Sequence, residues 1–170
     1  MFNHTYQAFA RNYSGLSRNK FLDFFQCVGC FLDDLITIPG VTVDDAKTIV
    51  NENGTVGNYP NYLEYCIDRL KTCWFRNKNT GKKILVVIVV IKRVFDELNK
   101  VGVFSNAIKV NISDLSKVIE SLKSNGRGGI IVVTLDDEAP LPFPVQGWQK
   151  EYEDKLSKII EELRKARILP

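Results

Sequence analysis

The chain has 170 residues, 45% of them hydrophobic and 25% charged. That length supports a substantial core in one domain or two small ones, and the composition excludes a disordered, fibrous or collagen-like chain. The net charge of +3 hides an uneven distribution: residues 61 to 110 carry 10 basic and 4 acidic groups, against 4 and 6 before them and 9 and 10 after. Such a local excess favours polyanionic partners; the other reading is a solvated lysine-rich face.

The first residues, MFNHTYQAFARNYSG, lack the basic start and continuous apolar stretch of a secretory signal. They predict an intracellular protein with a mobile terminus. Apolar residues at Phe21, Phe25, Val28, Leu32 and Leu35 then follow helical spacing, which predicts a core helix from Phe21 to Ile38 stopped by Pro39 and Gly40. Thr42 is a predicted N-cap for VDDAKTIVNEN, with Asp44 and Asp45 in the first turn and Gly54 at the end. Pro60 opens a third helix that gathers Leu63, Cys66, Ile67, Leu70 and Trp74 on one side.

Next, TCWFRN suits a strand, KNTG a tight turn, and KKILVVIVVI a second strand. The run from Ile84 to Ile91 also fits helical spacing, but seven of its eight residues are β-branched, which favours a strand. Eight residues are too few for a membrane span, which needs about 20. The remainder alternates: KRVFDELNK as helix, NAIKVNI as strand, SDLSKVIESLKSN as a capped helix, IIVVTL as strand, and Trp148 to Leu169 as an amphipathic helix. Strand and helix in alternation predict βαβ units with a partly parallel sheet.

The expected fold class is therefore α+β. An N-terminal part, residues 1–91, holds three helices and a β-hairpin, and a second part, residues 92–170, holds alternating β/α elements and a C-terminal helix, the two forming separate domains or one.

The order helix, helix, turn, helix, hairpin over residues 20–91 resembles the winged helix-turn-helix domains. The resemblance implies that YPNYLEYCIDRLKTC is a recognition helix in the DNA major groove and FRNKNTGKK a wing against the backbone. The residues it assigns to nucleic acid are Arg69, Lys71, Trp74, Arg76, Lys78, Lys82 and Lys83. The cations among them suit phosphate contacts. The turn NGTVGN is longer than usual for this motif. The start of the recognition helix offers Asn61, Tyr62 and Tyr65 but no arginine for guanine edges, which implies weak base specificity or a fold used for protein contacts.

Other chemistry is thinly represented. Cys27 and Cys30 form a C-x-x-C, yet Cys66 and Cys73, seven apart on one helix, stand about 10 Å apart along its axis and cannot share one tetrahedral ion. All four cysteines are expected to pack as small hydrophobes, with a disulfide between helices left open. Asp136, Asp137 and Glu138 follow the strand IIVVTL, where carboxylates can hold Mg²⁺ or act as a base; the other reading is a solvated turn. Gly126, Gly128 and Gly129 precede a strand, the reverse of a phosphate-cradling loop, and there is no Walker or dinucleotide motif.

No catalytic residue, metal site or cofactor is expected. The leading expectation is a non-enzymatic nucleic-acid-binding or regulatory protein, with DNA or RNA on the basic hairpin and a protein partner or second copy on the C-terminal part. An adaptor that meets an acidic protein surface, and a small metal-dependent α/β enzyme using Asp136 and Asp137, are the alternatives.

Overall fold

In the most buried strand, Gly129–Thr134, successive side chains enter opposite hydrophobic layers, Ile131 and Val133 on one side and Val132 on the other. A strand apolar on both faces requires cover on both, and the fold supplies it. The computed structural model describes residues 1–30, 32–75, 83–136 and 138–170, with residues 73–75 described by their backbone alone.

Three strands, β1 (Ile84–Ile88), β2 (Ile108–Asn111) and β3 (Gly129–Thr134), form an all-parallel sheet in the order β1-β3-β2. Ile84 aligns with Gly129 on one side of β3, and Ile108 with Ile131 on the other. Seven α-helices lie among the described residues: α1 (Phe2–Ala10), α2 (Phe21–Cys27), α3 (Val43–Thr48), α4 (Tyr62–Phe75), α5 (Lys92–Lys100), α6 (Leu115–Ser124) and α7 (Gln149–Lys165).

One face packs against Phe9 of α1, Phe21 and Phe25 of α2, Leu115 and Ile119 of α6, and Leu156, Ile159 and Ile160 of α7. The other packs against Val43 and Ala46 of α3, Leu63, Cys66, Ile67 and Leu70 of α4, and Phe95 and Leu98 of α5. The crossover through α5 moves from β1 past β3 to β2, and the one through α6 returns to β3. Opposite directions with helices on opposite faces follow when both crossovers share one hand.

The fold class is thus a mixture of helix and sheet, and the strand reading of Ile84 to Ile88 holds. Each helical layer draws on both halves of the chain, and β1 is bonded to β3, so a division at residue 91 passes through the sheet. No helix among the described residues is long and apolar enough to cross a membrane.

Four expectations are corrected. The N-terminus is not a loose end: α1 buries Ala8 and Phe9, and Thr5 shares a hydrogen bond with the Tyr152 hydroxyl at 3.0 Å. His4 Nδ1 lies 2.8 Å from Glu153, and Arg11 pairs with Glu153 and Asp154. The helix begun at Phe21 ends at Cys27, because the chain turns at Gly29 with φ +80°, a backbone that glycine adopts without a Cβ clash. This places Cys27 on the surface and Cys30 half-buried, so of the C-x-x-C pair neither is a fully enclosed core thiol, whereas Cys66 is.

The third correction concerns α3, which stops at Thr48, short of Gly54. Its start is as the sequence predicts, with a reciprocal capping box between Thr42 and Asp45. The fourth concerns the segment TCWFRN, expected as a strand. Thr72 to Phe75 instead continue α4, whose buried Leu63, Cys66, Ile67 and Leu70 propagate helical spacing past the point where aromatic and β-branched residues favour a strand. Residues 76–82, which contain the turn of the expected wing, lie outside the described residues, and β1 pairs in parallel with β3.

Candidate functional site

The basic section of the chain meets the sheet at its amino-terminal end. Lys83 stands immediately before β1, and its carbonyl accepts a hydrogen bond from the Gly129 N–H of β3 at 3.1 Å. That bond brings Arg127, two residues before β3, to the same end. Both side chains are exposed, and neither has an ion-pair partner among the described residues. Lys71, half-buried in α4, is likewise unpaired among them.

Arg69 is different. Its Nη1 donates to both carboxylate oxygens of Asp33, at 3.1 and 3.2 Å, and its Nη2 donates to the Asp34 carbonyl at 2.6 Å. With its Nε buried, Arg69 fastens the loop after α2 to α4 and is withdrawn from any phosphate surface. Of the remaining expected residues, Trp74 has a helical backbone within α4, and Arg76, Lys78 and Lys82 lie outside the described residues.

Elsewhere in the basic section, charge is neutralised locally. Lys92 pairs with Asp96 at 2.9 Å one helical turn on, and Arg93 pairs with Asp44. The hydrogen bond from Arg93, aided by Lys47, holds the Asp44 carboxyl below the usual carboxylate range. Lys47 also reaches Glu97 at 2.5 Å, which accounts for a carboxylate buried in the face beneath α5. Lys109 lies over the Phe95 ring, 5.7 Å from its centroid.

At the carboxyl-terminal end, β2 and β3 open into a cleft of about 370 Å³, lined by Asn111, Ser113, Asp136, Lys155, Lys158 and Glu162 among others. Asn111 donates from Nδ2 to Asp136 at 2.7 Å, and its Oδ1 accepts from the Ser113 N–H at 3.0 Å and hydroxyl at 3.1 Å. Burial pushes the Glu162 carboxyl up, but hydrogen bonds from Lys165 and Ser116 outweigh it and hold the group below its ordinary value.

Asp136 is exposed at the start of a tight turn. The Glu138 N–H returns to the Leu135 carbonyl at 2.9 Å, and the Leu135 N–H donates to Ala139 at 2.8 Å. Asp137 lies outside the described residues. The chain then seats Leu141, fully buried, beside the end of β1, where its N–H donates to the Val89 carbonyl at 3.1 Å. The crevice between β1 and β3, where the strand order reverses, is filled in this way, and the open cleft lies between β2 and β3.

Among the described residues no group of three or more histidine, cysteine, aspartate or glutamate side chains is arranged to hold a metal ion. Cys30 keeps its proton, since burial pushes its thiol up to about 11. The apolar side of α7 is consumed within the fold, with Tyr152, Leu156, Ile159, Ile160 and Leu163 all buried, so that face is not free for a second copy.

Arg127 and the pair Lys155 and Lys158 were not singled out from the sequence. GRGG marks a break before a strand, but only the β1–β3 pairing shows that its arginine joins Lys83. No family model matches the chain, and no curated protein or solved structure is significantly similar to it.

Proposed function

We propose that the protein is a non-enzymatic nucleic-acid-binding component, holding phosphates on the basic amino-terminal end of its sheet. The observation that carries this reading is the convergence of Lys83 and Arg127, unpaired among the described residues, at the point where the chain arrives from the basic sequence Arg76, Lys78 and Lys82. Cations without carboxylate partners can exchange their counter-ions for phosphates, and the binding is then strongly salt-dependent. Arg69 is not part of this surface, because Asp33 and Asp34 hold it.

The reading rests on charge rather than on a winged-helix geometry, since residues 72–75 are helical. Phosphate contacts of this kind carry no base sequence, so weak sequence preference is expected. Fluorescence anisotropy of labelled random-sequence duplex and single strands, titrated with the protein at several salt concentrations, tests it. Micromolar binding that weakens steeply with salt supports the reading. Absence of binding at low salt refutes it and leaves the basic end to an acidic protein surface.

A further inference from the structure

We propose that the cleft at the carboxyl ends of β2 and β3 is a second site, which takes a small phosphorylated sugar. Its position is the first argument: ligands of open α/β sheets bind outside the carboxyl ends of the strands, and with the switch-point crevice filled by Leu141 the open space at that end lies between β2 and β3. The volume of about 370 Å³ lies within the range of small-molecule pockets.

The second argument is the uneven state of the charges that line it. Glu161 and Glu162, placed three and four residues after Lys158 on α7, would ordinarily pair with it. Both are taken instead by Lys165, at 2.9 and 2.7 Å, and Glu162 also accepts the Ser116 hydroxyl. Asp154, four residues before Lys158, is taken by Arg11 from α1, and Glu151, four before Lys155, makes no ion pair with it. Lys155 and Lys158 are thereby left unpaired among the described residues, both lining one cleft. Two ammonium groups three residues apart suit a phosphate as point charges.

Across the cleft the lining changes character. Asn111 is fixed by its bonds to Asp136 and Ser113, and it spends its amide on one Asp136 oxygen while the other oxygen remains an acceptor. Hydroxyl groups are the natural donors to that carboxylate, and the exposed Ser113 hydroxyl retains acceptor capacity. A ligand that bears phosphate at one end and hydroxyls at the other satisfies both walls. A nucleic-acid strand would meet repulsion from Asp136 and is not the occupant. The site lies at the other end of the strands from the basic surface, so either assignment can fail without the other.

Two-dimensional ¹H–¹⁵N NMR with ribose 5-phosphate as the probe tests the assignment, with inorganic phosphate and ribose as comparisons. The expected result is saturable shifts confined to residues 111–113, 135–136 and 155–162, with both comparison molecules binding more weakly. Replacing both lysines, Lys155→Ala with Lys158→Ala, should weaken binding by about tenfold or more. The single change Lys158→Glu, at an exposed position, serves if the double variant is unstable. No saturable shift up to millimolar probe, shifts centred on Lys83 and Arg127, equal binding of inorganic phosphate, or undiminished binding by the lysine variants would each overturn the proposal.

Discussion

At the amino-terminal end of the sheet, Lys83 and Arg127 stand exposed with no carboxylate among their partners in the described residues, whereas at the carboxyl-terminal end the unpaired Lys155 and Lys158 share a cleft with carboxylates, Asp136 bonded to Asn111 and Glu162 to Ser116 and Lys165. The same parallel strands reach both ends. Their chemistry differs because the connections differ: the chain enters β1 and β3 through basic, glycine-containing sequence, and leaves β2 and β3 through turns rich in asparagine, serine and aspartate. A charge count along the sequence does not distinguish free charge from spent charge. Arg69, Lys92 and Arg93 belong to the basic section, yet each is engaged with an aspartate.

The largest effect expected from breaking this contrast is on nucleic-acid binding. Replacing Arg76, Lys78, Lys82 and Lys83 together by alanine should reduce the slope of log affinity against log salt by about 3 to 4 on duplex DNA, if each contacts a phosphate. Lys83, the one of the four among the described residues, is exposed, so Lys83→Ala alone should leave the urea unfolding midpoint close to that of the unmodified protein. A quadruple variant that binds with an unchanged slope would remove these four cations from the interface.

Arg69 should behave in the opposite way. Arg69→Ala leaves Asp33 and the Asp34 carbonyl without their donor, and a loss of roughly 1–3 kcal/mol is expected in urea unfolding. DNA affinity of the folded variant should change little. A strong loss of affinity without a loss of stability would mean that this arginine contacts phosphate after all.

A smaller effect is expected from Asn111→Ala at the carboxyl-terminal end. The change removes the bond to Asp136 and the cap on Ser113, and about 1 kcal/mol of stability should be lost while DNA binding is unaffected.

A separate effect, confined to alkaline pH, is expected from Cys30, which lies on the same side of the sheet as α2. An unfolded thiol loses its proton near its ordinary value of about 8.5. The folded one keeps it to about 11, because burial penalises the thiolate. Between these values the folded state binds more protons than the unfolded one, so stability must fall as pH rises from about 9 to 11. Cys30→Ala should flatten that portion of a stability–pH curve relative to the parent. An identical decline in both proteins would contradict the burial of the thiol.

The second half of the chain was largely legible from its sequence, because α5, α6, α7 and the strands between them each carry one clear period bounded by glycine, asparagine or serine. The first half was less so. Thr72 to Phe75 have local strand preference, but they continue a helix already anchored by Leu63, Cys66, Ile67 and Leu70, and packing prevailed over propensity. The pattern begun at Phe21 runs on through Leu32 and Leu35, yet Gly29 adopts a positive φ and turns the chain out of it.

In α1, Ala8 and Phe9 looked like parts of a loose polar terminus, and only the groove beside α7 makes a helix of them worthwhile. The candidate sites follow the same rule. Lysines contiguous in sequence, and Asp136 directly after a strand, can be read from the chain. Arg127 beside Lys83, and Asn111 beside Asp136, exist only through strand pairing between segments tens of residues apart.

The contrast between the two ends is tested most directly by comparing two double variants on one labelled duplex, Lys83→Ala with Arg127→Ala and Lys155→Ala with Lys158→Ala, by anisotropy over a range of salt. The account predicts that the first pair weakens binding and lowers the salt slope by about 2, while the second leaves both unchanged. Equal losses from the two pairs, or a loss from the second alone, would contradict it.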